Sequence, residues 1–95
     1  MKVSELPKFD AAEYLNCAEE IGAYLEEVFE SNDPPFITHA LGVVARAKGM
    51  SDLAKKTGLT RESLYKALSA EGNPEFATVL KVLAALGLRF AVRAA

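Results

Sequence analysis

Hydrophobic positions along the chain fall into runs of changing period. From about residue 11 to 31, Ala18, Ile21, Gly22, Leu25, Val28 and Phe29 recur every three or four residues with glutamates between them. No proline interrupts the run, and Asp10 stands ready to cap it, so a long amphipathic helix is predicted. Residues 1–9, broken by Pro7, read as an extended arm. SNDPP at 31–35 ends the first helix and opens a second, with Asp33 as cap and Pro34 at the first helical position. Its inward side is Ile37, Ala40, Leu41, Val44 and Ala45; Arg46 and Lys48 suit the negative end of its dipole, and Gly49 stops it.

The next stretch, SDLAKKTGLTRESLYKALS at 51–69, carries the strongest pattern. Ser51 is a suitable N-cap and Asp52 favours the positive end of a helix starting at about 52. Leu53, Ala54 and Thr57 share one face, and Gly58 supplies the left-handed residue that often ends a helix. Leu59 then plugs the angle between two helices, and Thr60 caps the second. In that second helix Leu64, Ala67 and Leu68 turn inward, leaving Arg61, Glu62, Tyr65, Lys66 and Ser69 outward. Two short helices joined this way are the pattern of a helix-turn-helix.

In that motif the second helix enters the major groove. Arg61 is the leading candidate for a guanine edge, Glu62 for cytosine N4, and Tyr65 and Lys66 for a thymine methyl, a base edge or a phosphate. Lys55, Lys56 and Thr60 are expected at phosphates. Many folds contain a helix, a glycine turn and a helix yet bind nothing; the exposed Arg61, Tyr65 and Lys66 favour DNA.

Residues 70–72 read as a turn, and Asn73 with Pro74 as cap and first residue of another helix, whose buried stripe is Phe76, Val79, Leu80, Leu83 and Leu86. After Gly87 the period changes to two, with Leu88, Phe90 and Val92 alternating with Arg89, Ala91 and Arg93 over 88–93. A lone strand is not stable, so pairing with the same strand of a second copy is expected, making the protein a homodimer.

Charge divides the chain. Residues 1–33 carry two lysines against nine acidic groups, a net −7, and the remainder carries nine Lys and Arg against four, a net +5. Two surfaces with different partners follow, a basic one for phosphates and an acidic one for a basic protein, unless the acidic face is merely solvated. At 95 residues and 51% hydrophobic content the chain makes one domain with a modest core. With no long apolar run and no signal-type leader, a cytoplasmic location is expected. Cys17 has no partner for an internal disulfide and reads as a small buried hydrophobe. His39 lacks Cys, Asp or Glu at ligand spacing, so no metal or cofactor is expected, and with no phosphate loop or oriented nucleophile neither is catalysis. Tyr14 and Tyr24 read as core or dimer-rim aromatics, and Arg89 and Arg93 as strand-edge cations.

FDAAEYL at 9–15, IGAYLEE at 21–27, ALGVVARAKGMSDLAKKTGLTRESLYKALS at 40–69 and GNPEFATVLKVLAALGLRF at 72–90 together carry a likeness. The chain resembles the HigA-like addiction-module antidotes of the Xre/Cro helix-turn-helix class. That resemblance implies an all-α, five-helix, lambda-repressor-like domain whose short C-terminal strand pairs in a dimer. It further implies an antitoxin that represses its own operon at double-stranded operator DNA and neutralises a RelE/HigB-like toxin. The competing expectations are a stand-alone regulator with no toxin, and a protein-interaction module that keeps the fold without DNA binding.

Overall fold

The apolar spacing resolves into five helices in the computed structural model, which describes residues 17–69 and 71–95. They are α1 Ala18–Phe29, α2 Pro34–Lys48, α3 Met50–Thr57, α4 Arg61–Ala67 and α5 Phe76–Ala85. Among the described residues the fold is therefore all-α. The expected arm over 1–9, the Asp10 cap, Tyr14 and the start of the first helix lie outside the described residues.

α1 turns Ile21, Leu25 and Val28 into the core, the three-and-four spacing that its sequence carries. Cys17 has extended backbone at φ −134° and occupies the cap position before Ala18, the first residue of α1. Contrary to the buried reading, Cys17 is exposed. Tyr24 and Phe29 pack part-buried against the core.

α2 follows its local signals closely. The Asp33 carboxylate accepts from the Phe36 N–H at 3.4 Å, Pro34 occupies the first turn, and Ala40, Leu41, Val44 and Ala45 are buried. Gly49, at φ 107°, ends α2 and at once begins α3, a conformation that an L side chain rarely adopts. Ser51 is consequently not a cap: α3 starts at Met50, one residue before it, because Met50 is buried and draws the chain into the helix early. Ser51 and Asp52 sit exposed in the first turn.

The core joins α1 through Ile21, α2 through Leu41 and Val44, α3 through Leu53, α4 through Leu64 and α5 through Val82 and Leu83. Every helix contributes at least one buried apolar residue. None of them is long and apolar enough to cross a membrane.

α5 differs from its expected form in two ways. It begins at Phe76 with Glu75 in the cap position and no side-chain cap bond, so Asn73 and Pro74 lie in the preceding loop. Its buried line runs through Val82, Leu83 and the adjoining Leu86, with Val79 half-buried, whereas Phe76 and Leu80 are solvent-exposed. The true stripe of 79, 82, 83 and 86 is still helical in period; only its phase differs.

Among the described residues no strand forms. The segment after Gly87 instead folds back over α1 and α5. Leu88 lies against Gly22, and the Phe90 ring meets Phe29 at 6.0 Å and Phe76 at 5.8 Å, both edge to face. Arg93 closes the segment on α1 with an ion pair to Glu26 at 2.8 Å. The alternation of Leu88 and Phe90 is thus used within the chain, to dock an extended tail on two helices. Val92 stays outside, 86% exposed.

Candidate nucleic-acid interface

α3 and α4 are short, eight and seven residues, and hold no stable shape alone. Their mutual angle is set by the turn between them. Gly58 is left-handed at φ 77° and its N–H donates to the Ala54 carbonyl, closing α3. The Thr57 hydroxyl donates to the Leu53 carbonyl at 2.8 Å and accepts from the Leu59 N–H at 3.3 Å, tying the end of α3 to the turn. Leu59 is half-buried in the angle, as its sequence position implies. The sequence pattern alone places Thr57 on the inner face of its helix. A threonine directly before a turn glycine is the signal that could have revealed its bridging role.

α4 opens on a formed cap, with the Ser63 N–H donating to the Thr60 hydroxyl oxygen at 3.0 Å. Leu64 and Leu68 are fully buried beneath it, and Ala67 is half-buried. Arg61, Glu62, Tyr65 and Lys66 all face solvent, while Ser69 is half-buried and donates its hydroxyl to the Lys66 carbonyl at 2.9 Å. The Arg61 guanidinium carbon lies 5.9 Å from the centre of the Tyr65 ring, one helical turn away. Glu62 is the acidic residue of the first turn, where it suits the helix dipole.

Lys55 and Lys56 are exposed in the last turn of α3. Lys56 is engaged by Asp52 at 3.1 Å, a pair more than half exposed on both sides and therefore easily exchanged for a phosphate. Thr60 is exposed, and its hydroxyl hydrogen is left free by the cap to donate outward. All seven candidate residues are exposed, Lys55 and Lys56 at the end of α3, Thr60 in the turn, and Arg61, Glu62, Tyr65 and Lys66 on α4. Four are cations, with Glu62 and the neighbouring Asp52 as the acidic groups.

A second feature is apolar. Phe76 is 62% exposed, and Leu80, Phe90 and Val92 also show large surface. Phe76 and Leu80 are one turn apart on α5, and Phe76 touches Phe90, so these side chains form a patch. His39 is exposed, and no group of three or more His, Cys, Asp or Glu among the described residues is placed to hold a metal ion.

Among the described residues the arrangement is all-helical, with an exposed, cation-bearing helix pair and an aromatic patch that includes the C-terminal tail. The profile of the family described as "Probable addiction module antidote protein" matches residues 5–94, and the chain belongs to that family. A protein of Haemophilus influenzae strain Rd, described as an uncharacterized protein, is 51% identical over 89 residues, spanning 94% of this chain and 92% of its own length. No solved structure matches the chain.

Proposed function

We propose that this antidote-family chain is a sequence-specific DNA-binding antitoxin. It represses its own toxin-antitoxin operon through α3 and α4, acting as a helix-turn-helix of the lambda-repressor-like, Xre/Cro kind. The observation that carries this reading is the division of α4, which buries Leu64 and Leu68 while turning Arg61, Glu62, Tyr65 and Lys66 outward. In the major groove Arg61 reads a guanine through O6 and N7, Glu62 accepts from a cytosine N4, and Lys66 serves a base edge or phosphate. Lys55, Lys56 and Thr60 hold phosphates and fix the register.

Two recognition helices require two copies. The exposed Phe76, Leu80, Phe90 and Val92 support a homodimer, with the 88–93 tails of the two copies side by side. The acidic face of α1, where Glu19, Glu27 and Glu30 are exposed, supports a basic toxin of the RelE/HigB-like kind as a second partner in the cytoplasm.

The test is a gel-shift series on the chain's own promoter DNA. Arg61→Ala should cost about 1–3 kcal/mol and relax discrimination at one base pair, whereas Lys55→Ala should weaken all sequences alike and reduce the salt slope by about one. Equal, sequence-blind losses for both variants remove Arg61 as a reader. Affinity that does not fall with salt removes the DNA reading altogether. Val92→Asp, at a site with little to lose in the monomer, should shift sedimentation toward one copy. Co-purification with the product of the adjacent gene tests the toxin.

A further inference from the structure

Arg61 and Tyr65 are separated by one turn on the exposed side of α4, so their side chains run along the same stripe. The guanidinium carbon stands 5.9 Å from the ring centre, within the roughly 6 Å reach of a cation–π contact. Among the described residues Arg61 makes no ion pair, and its neighbour Glu62, one position on, projects to a different side of the helix. The ring is therefore the one partner that the described residues offer this guanidinium.

From this geometry we propose that Tyr65 is a positioning residue. Its ring holds the Arg61 guanidinium in place before DNA arrives, and it acts on base recognition through Arg61 rather than through its own hydroxyl. The inference rests on the DNA-binding reading and says how that site attains its selectivity.

The chemistry follows from the shape of the guanidinium. Its N–H donors all lie in its plane, whereas an aromatic ring takes its face. A contact over the face of Tyr65 thus restricts the side chain without consuming a donor, leaving an edge free to bond guanine O6 and N7 together. A free arginine surrenders much rotamer freedom on forming that bidentate contact; one already held against a ring has surrendered part of it beforehand. The benefit falls on the base pair that Arg61 reads and on no other. The hydroxyl plays no part, so phenylalanine should substitute for tyrosine and leucine should not.

The experiment compares wild type, Arg61→Ala, Tyr65→Phe, Tyr65→Leu and the Arg61→Ala/Tyr65→Leu double variant on the promoter site and on each single-base-pair replacement of it. In parallel, the chemical shifts of the Arg61 δ-methylene protons are recorded in the DNA-free protein. Tyr65 is 42% exposed, so these variants should keep their fold, and thermal melting checks that they do. The expected result is discrimination unchanged in Tyr65→Phe and reduced about two- to fivefold in Tyr65→Leu at the Arg61-dependent base pair alone. The double variant should be no worse there than Arg61→Ala. The δ protons should lie upfield in wild type and Tyr65→Phe and return to an ordinary position in Tyr65→Leu.

Wild-type discrimination in Tyr65→Leu, beside its loss in Arg61→Ala, overturns this inference and leaves the DNA reading intact. So does a loss in Tyr65→Phe equal to that in Tyr65→Leu, which would place the hydroxyl on the DNA. Identical δ-proton shifts in all tyrosine variants overturn it independently of DNA. Failure of the wild type to bind DNA overturns both readings.

Discussion

Gly42 in the middle of α2 is where the fold and the candidate interface meet. It is buried, and a methyl group placed there would come within 2.5 Å of the Leu68 carbonyl oxygen, at the end of α4, and 3.3 Å of an Arg46 nitrogen. Two effects of Gly42→Ala oppose each other. Alanine is the better helix former by up to about 1 kcal/mol. Against that, the Arg46 terminus can swing aside but the Leu68 carbonyl is backbone, and relieving the overlap means lifting the last turn of α4 by about 1 Å. Leu68, 2% exposed, is attached to that turn and loses packing as it moves. Overpacking of this kind costs about 1–3 kcal/mol, or more where backbone must shift, so the clash wins. We expect a net loss of about 1–2 kcal/mol, a fall in melting temperature of about 5–15 °C in a domain of this size. Gly22→Ala is the matched control, because its new methyl meets only the Leu88 Cδ2 at 3.3 Å, the flexible end of a side chain. There propensity should win, leaving stability equal or slightly raised. Circular-dichroism melts of both variants decide the matter; Gly42→Ala melting at or above wild type would falsify the account of how α2 seats α4.

Other expectations follow from the same contacts. Thr60→Ala removes the cap that receives the Ser63 N–H and should lower stability by about 1 kcal/mol in urea titration, with Thr60→Ser restoring most of it. Leu64→Ala opens a cavity at a fully buried site and should cost about 2–5 kcal/mol; a cost below 1 would mean that α4 is not anchored there. Phe90→Ala, which removes two edge-to-face contacts, should destabilise by about 1–3 kcal/mol, whereas Arg93→Ala, losing only an exposed ion pair, should change stability by less than about 1 kcal/mol. If Arg93→Ala proves the more damaging of the two in a melting comparison, the tail is held by charge rather than by its ring.

What could be read from the sequence was what local chemistry decides. Asp33, Pro34 and Gly49 bound α2 by capping and backbone geometry alone, and Gly58 with Thr60 does the same for the turn before α4, so those limits agree with the structure. Ser51 has the right chemistry for a cap, yet burial of Met50 pulls the helix start past it. Asn73 and Pro74 carry an equally good start signal. It goes unused: α5 begins at Phe76 with Glu75 in the cap position, and a Cβ at Gly72 would collide with the Lys66 and Ala67 carbonyls, so the chain there needs glycine to pass the end of α4. The α5 stripe was misphased by its largest residue, since Phe76 pairs with Phe90, a contact between distant parts of the chain that no periodicity contains. The tail's alternation was legible and its partner was not. Period two says that one side is covered, and is silent on whether a strand or a pair of helices covers it.

In the candidate interface local spacing alone divides α4 into a buried and an exposed side. α4 has seven residues, too few to be helical in isolation, so its outward side chains are held in place by what lies under them. Leu64 and Leu68 anchor it from below, the Thr60 hydroxyl fixes its first turn, and Gly42 lets α2 approach its last. Substitutions should therefore sort into two groups when loss of stability is plotted against loss of DNA affinity. Arg61→Ala and Lys66→Ala should lose affinity at constant melting temperature, whereas Leu64→Ala and Gly42→Ala should lose both together, since a frayed α4 no longer presents a rigid edge to the groove. If the buried-side variants weaken folding but bind promoter DNA as tightly as wild type, α4 is not the element that reads it.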